Sequence, residues 1–521
     1  MTSSQIIFAF KNWKNMCSNF SRGRTINAIL IGSVFTIAIS IIFLSCNLRK
    51  KSGEVLAKQY CGSCHQFTPP EMLDKLTWKK SVLPEMAFRM GLFNLANSNK
   101  NFDELADAYS FAPSAPLLDE KDFSLIADYF VQNAPDSLVA LPRAAPDSLT
   151  QFEAIAVQSK DLLPLNCLVM RDSMGRTFVG GRKNTMQLLD ENLNVKDNFS
   201  IDSPPSCIRS KKSKVWCLEM GIMDPNDATS GELVEIDMLK KDSKVLIDSL
   251  RRPVHFETAD LNLDNTDDVI VCEFGNYTGR LAVYEQKNGT YKLHTLEAVP
   301  GARKVIVRDM NGDKKPDLIT LFSQGNECIN IYWNLGDFNF KKQQLIAFPP
   351  VYGVSYFEIA DFNKDGHFDI LVTNGDNADY SKVLKPYHGV RILLNDGNFN
   401  FKESWFYPIN GASWSASRDF DHDGDLDIAV ISFFPDFMRN PLESFIYFEN
   451  KQGNFSPYVT THASDARWLV LETGDFDHDN DEDILLGALN FNPQNKVLLD
   501  RWKNHPVSLL FLKNKHFKKG S

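Results

Sequence analysis

The chain has no long basic run. Its Lys and Arg fall in short clusters, and the net charge is −10 over 521 residues, which argues against a nucleic-acid partner. It has no disulfide framework. Of nine cysteines, Cys17 precedes an apolar segment, Cys46 ends it, and Cys61 and Cys64 stand three apart. Cys167, Cys207, Cys217, Cys272 and Cys328 are scattered over the remainder. Cys207 and Cys217 are close enough to close a hairpin disulfide, but the role of buried small hydrophobe suits them better. Methionine and histidine are missing from Gly91 to Leu138. No second cysteine pair completes a zinc site, and no motif for a quinone cofactor is found.

What is present is length, enough for several domains, and phenylalanine, with 38 copies. Phe with scattered Gly and Asn-Asp pairs in the latter two-thirds suits many short strands joined by tight turns.

Five residues name a chemistry. Cys61-Gly62-Ser63-Cys64-His65 has the C-x-x-C-H spacing of covalent haem attachment. There the two sulfurs add to the haem vinyl groups and the imidazole becomes an axial ligand of the iron. The alternative is a zinc or redox C-x-x-C. A haem attached in this way needs an exported chain, a helical shell and usually a second axial ligand.

Residues 1–46 supply the export signal. Ile26 to Ser45 is a continuous apolar run preceded by Arg22 and Arg24. Its length fits a membrane-spanning helix or the apolar region of a signal peptide. It ends at Phe43-Leu44-Ser45-Cys46, which resembles a bacterial lipobox in which Cys46 is lipidated, although Phe43 departs from the usual Leu. Either reading ties the chain to a membrane and places residues 47 onward outside the cytoplasm.

Residues 52–137 carry the haem reading. Ser52 to Tyr60 reads as a short helix that delivers the cysteines. A second helix opens at Asp119 and Glu120, carries Phe123, Ile126, Ala127 and Phe130 on one face, and stops at Pro135. A small c-type cytochrome packs two such helices beside its haem. Met72, Met86 and Met90 are the candidate second ligands. Met72 follows His65 too closely to cross the haem. Met86, in a turn set by Pro84, is preferred, with Met90 the alternative and a His-only iron the third. His/Met ligation suits electron transfer. Residues 138–149, within a stretch rich in Pro, Ala and Asp, read as a linker.

From 150 to 516 a repeat takes over. Asp260, Asn262, Asp264 and Asp268 precede a strand-like run. Asp309, Asn311, Asp313 and Asp317 do the same, as do Asp361, Asn363, Asp365 and Asp369. Asp419, Asp421, Asp423 and Asp427 follow, then Asp475, Asp477, Asp479 and Asp483. Oxygens at positions one, three, five and nine, with a backbone carbonyl at seven, can wrap calcium. The glutamate of an EF-hand is absent and strands replace its helices. The competing explanation is turn chemistry alone, but five loops in phase favour up to five calcium ions. The period, about 50 to 58 residues, is that of propeller blades. It predicts an all-β seven-bladed propeller, with six or eight blades as alternatives. Two blades without acidic loops precede Asp260.

These loops resemble the FG-GAP/VCBS repeats of integrin-type propellers. The combination resembles a group of bacterial envelope proteins in which a small cytochrome c domain precedes such a propeller. The segments Val82 to Met86, Thr373 to Tyr380 and Ile431 to Asp436 carry that resemblance. It implies Met86 as ligand, calcium in the loops and a location in the bacterial cell envelope, facing the periplasm or the exterior. It implies no substrate.

One further loop stands out. Asn374 to His388 lengthens a blade and gathers Asp376, Asn377, Asp379, Tyr380, Lys385, Tyr387 and His388. It reads either as a ligand loop at the propeller mouth or as a surface hairpin. The leading functional expectation is electron transfer by one covalent haem c. A calcium-stiffened propeller then binds a redox partner protein, or a carbohydrate or protein ligand. The alternatives are a propeller oxidoreductase that passes electrons from a sugar or alcohol to the haem, and an adhesion module.

Overall fold

The structure, a computed structural model, describes residues 52–96, 112–375 and 383–515. The apolar run, Cys46, Asp376, Asn377, Asp379 and Tyr380 lie outside these residues. No helix of the described residues is long and apolar enough to cross a membrane.

Helix α1 spans Gly53–Tyr60. Helix α2 is a continuous run of Lys75–Thr77, a π-helical segment Trp78–Val82, and Leu83–Arg89. Helix α3 spans Glu120–Asn133. Each start is chemically marked. The Asp74 carboxylate accepts the Leu76 and Thr77 amides, and that of Asp119 accepts the Asp122 amide at 2.7 Å, removing orphan donors at the helix N-termini. Gly53 sits where α1 meets α3. A Cβ there would lie 2.1 Å from the Leu125 carbonyl oxygen, so only glycine allows the approach. Leu56, Leu73, Trp78, Phe123, Ile126 and Phe130 form the core of this helical segment, and Val351 joins it from the propeller.

Pro84 is a correction. The sequence suggests a turn before Met86, but Pro84 lies within α2, at the start of its last α-helical stretch. Proline removes a helical amide and crowds the preceding turn. The π-helical segment just before it widens that turn and accommodates the ring.

Seven sheets follow. The blades span residues 166–200, 205–250, 253–297, 302–347, 354–408, 412–459 and 468–514. The run after each acidic loop is the second strand of blades 3 to 7, and all six residues of each such strand are buried. A strand covered on both faces reads as a continuous apolar run. The two blades without acidic loops are where the repeat places them. No local pattern in the sequence shows how the ring closes. Phe152–Gln158 pairs antiparallel with Val507–Asn514 as the outermost strand of blade 7, so the start of the propeller is stitched to its end and no broad edge is left open. The linker is also anchored. Asp147–Ser148 pairs parallel to Asn454–Val459, Arg143 binds the buried Glu443 carboxylate, and the Tyr407 hydroxyl donates to the Ala144 carbonyl at 2.6 Å.

Strand direction assigns the two faces of the ring. The acidic loops join first to second strands and open on one face. The links from second to third strands, and those between blades, open on the other. The helical segment contacts the latter set in blades 3 to 5.

Candidate cofactor cavity and acidic loops

Between helices and propeller lies a cavity of about 470 Å³. Cys61, Cys64, His65, Met86 and Met90 all line it, beside Trp78, Phe123 and Phe130. Both cysteines are free thiols, and burial pushes the Cys61 thiol up to about 11. His65 Nδ1 is 2.9 Å from the Gln66 carbonyl oxygen. With its proton on Nδ1 the imidazole donates there and keeps the Nε2 lone pair for a metal. Met86 and Met90 stand one turn apart, the Met90 amide donating to the Met86 carbonyl at 3.0 Å. Met72 packs at the edge of the same core, and its carbonyl accepts the Tyr387 hydroxyl at 2.9 Å. Trp78 is fixed by its indole N–H to the Pro70 carbonyl, 2.8 Å, and by a ring contact with Phe130 at 4.2 Å.

The opposite wall belongs to the propeller. Tyr277, Ser323, Gln324, Glu327, Val351 and Lys385 line it. The Asp227 carboxylate accepts the amides of Asn276, Tyr277 and Thr278 and so sets the Tyr277 loop. The Arg89 guanidinium lies over the Tyr277 ring. Lys385 is 3% exposed. Burial pulls its ammonium down to about 8, and the charges of Glu327 and Asp74 pull it back. Glu327 in turn accepts the Gly353 and Val354 amides at 3.2 and 2.9 Å. Three buried oxygens lining the cavity, Thr68 Oγ1, Ser323 Oγ and Gln324 Oε1, find no hydrogen-bond partner among the described residues.

The described end of the long loop in blade 5 therefore faces the helices. Tyr387 stacks on Tyr352, with centroids 4.9 Å apart. His388, expected as a ligand contact, is buried with Nε2 3.4 Å from the Val351 carbonyl oxygen. Burial, with the charge of Lys385, holds its pKa well below the usual range. No local pattern marks Ser323, Gln324 or Glu327, because the residues they face lie more than 190 positions earlier.

The five acidic loops share one conformation. Positions four and six take positive φ in each: Leu263 and Asn265, Gly312 and Lys314, Lys364 and Gly366, His422 and Gly424, His478 and Asn480. The first aspartate accepts the position-six amide every time. The ninth is fully buried in every loop. Its carboxylate accepts the position-two amide and an amide of the third strand, as Asp483 does from Phe476 and Asn514. Burial pushes Asp427 and Asp483 up to about 7.

In two loops three carboxylates converge within 4.8 Å: Asp419, Asp421 and Asp423, and Asp475, Asp477 and Asp483. The other three carry Asn262, Asn311 and Asn363 at position three, an amide oxygen in place of a carboxylate. Asp419 Oδ1 and Asp477 Oδ1 are buried without a donor. Carboxylate oxygens are the donor type that a hard cation binds. The sequence did not show that Lys513 leans on Asp477 and Asp479. Nor did it show that position four of one loop pairs with position seven of the next, as Lys364 does with Asp425 and His422 with Asp481.

The FG-GAP-like repeat model matches residues 260–320, 309–372 and 419–486. Each match spans two acidic loops, and together they take in all five. The chain thus carries FG-GAP-like repeats on a seven-bladed β-propeller. No curated protein sequence matches it. Among solved structures it is similar to the N-terminal domain of Nup159, at 10% identity and a TM-score of 0.42 over 73% of this chain and all of that one. It is similar also to YCF48 bound to a D1 peptide, at 9% and 0.42 over 72% of this chain and all of that one.

Proposed function

We propose that the chain is an extracytoplasmic one-electron carrier. Residues 52–137 act as a c-type cytochrome module. Residues 150–516 act as a calcium-stiffened propeller that seats the module and offers a binding surface to a redox partner protein, or to a carbohydrate or protein ligand. Residues 1–46 tether it to the bacterial envelope. The observation that carries this reading is the convergence of Cys61, Cys64, His65, Met86 and Met90 on one apolar cavity.

A haem held there supplies one-electron Fe(III)/Fe(II) chemistry. The chain's own residues do the remainder. Cys61 and Cys64 provide the thiols for attachment. His65 is oriented by the Gln66 carbonyl and presents Nε2. Met86 presents a thioether from α2. Trp78, Phe123 and Phe130 exclude water, which favours electron exchange over side reactions. Orphaned Asp419 Oδ1 and Asp477 Oδ1 support calcium in the loops.

Periplasmic expression with haem maturation tests the reading. The purified protein is expected to carry the mass of one covalent haem and a sharp α-band on reduction. A Cys61→Ala/Cys64→Ala protein is expected to lack both and to keep its β-sheet circular dichroism. Covalent haem retained by that variant sinks the proposal.

A further inference from the structure

The cavity has two unlike walls. On the helical side it is thiol, imidazole, thioether and aromatic carbon. On the propeller side it brings Ser323, Gln324, Glu327 and Lys385, and two of its oxygens, Ser323 Oγ and Gln324 Oε1, are buried without partners. Such orphans cost about 1–3 kcal/mol each unless something polar answers them. A haem bears its vinyl groups and its propionates on opposite edges. Attachment at Cys61 and Cys64 holds the vinyl edge to the helical wall and leaves the propionate edge for the other.

We propose that the propeller is the second half of the haem site: Ser323, Gln324 and Lys385 receive the propionate edge, and the buried charges of Lys385 and Glu327 set the reduction potential. This rests on the haem reading above and extends it, because the propeller becomes part of the redox centre rather than its carrier. Several contacts support so fixed a seat. Val351 lies within the helical core, the Tyr387 hydroxyl holds the Met72 carbonyl, and Asp227 fixes the Tyr277 loop. A ligand or partner that moved the loops of blades 3 to 5 would therefore change the potential. Lys385 meets the propionate edge, Glu327 is a positioning residue behind it, and the two carry opposite charge. In a site shielded from water a single charge acts over several ångströms, so their effects on the iron differ in sign.

The test is the midpoint potential of the full-length holoprotein and of three variants. Lys385→Met removes a cation and leaves Glu327, so the ferric form gains. We expect a shift of about tenfold in the Fe(III)/Fe(II) ratio, or about 59 mV downward for one electron. Glu327→Gln is expected to move the potential upward, and Lys385→Arg to leave it near wild type. A purely structural wall predicts lost stability without this split in sign. Holoprotein variants whose potentials coincide, or move the same way, overturn the inference and leave the haem reading standing. Wild-type protein that carries no covalent haem overturns both. Should Glu327→Gln fail to fold, Lys385→Met against Lys385→Arg decides alone.

Discussion

At the scale of the residue, Met86 and Met90 share a cavity but not a role. Met90 is 7% exposed and lies in the helical core with Leu92 and Leu118. Met86 is half-buried on the same face of α2. Met86→Ala is expected to lose the spectrum of a thioether-ligated iron and to lower the potential. Met90→Ala is expected to keep the spectrum and cost about 2–5 kcal/mol of stability; ultraviolet–visible spectra and urea titration read the two effects. The buried histidines make a pH prediction. His388 and His255 are held well below their ordinary value of 6.5, by burial first and by neighbouring cations second. The unfolded chain therefore takes protons that the native one refuses. This contribution is complete above 6.5 and is lost as the pH falls through it. Relative to wild type, His388→Gln is therefore expected to gain Tm between about pH 7.5 and about pH 5.5, read by melts of the two proteins across that range.

At the scale of the element, the acidic loop is a structural device in its own right. The ninth aspartate closes each loop. Asp427 accepts the Phe420 and Asn450 amides and the Tyr447 hydroxyl. Asp427→Asn turns an N–H toward one of these donors. It is expected to cost about 1–3 kcal/mol whether or not calcium is present, measured by denaturant unfolding with chelator. These loops, the second strands they lead into and the seven-blade count were legible because both signals are local and repeated. So was the course of α3, from Asp119 to Pro135. The geometry around Pro84 was not, since a π-helical segment at Trp78–Val82 has no sequence signature. Nor was the crossing at Gly53, which depends on Leu125. The long loop before His388 was visible as an anomaly, but its neighbours were not: the contact from Tyr387 to Met72 beside the cavity spans 315 positions.

At the scale of the molecule, the cavity and the acidic loops occupy opposite faces of the ring. The cavity opens against the links between second and third strands, and the acidic loops lie at the links between first and second. The blades couple along the acidic face through Lys364 with Asp425 and His422 with Asp481, and the ring is closed by Phe152–Gln158 on blade 7. A cation bound to the native loops and not to the unfolded chain stabilises by mass action, by about 2.7 kcal/mol at a hundredfold excess over its Kd. Chelation is therefore expected to lower the melting temperature of the propeller, and millimolar-range calcium to restore it. The haem spectrum and potential are expected to stay fixed over the same titration, because no acidic loop touches the cavity wall. An Asp419→Asn/Asp475→Asn protein is expected to lose much of the calcium response, since these are the two loops in which three carboxylates converge. Calorimetry with parallel spectra separates the cases: an unchanged melt refutes calcium in the loops. A haem potential that follows calcium refutes the separation of the faces and means that the ring transmits strain from one side to the other.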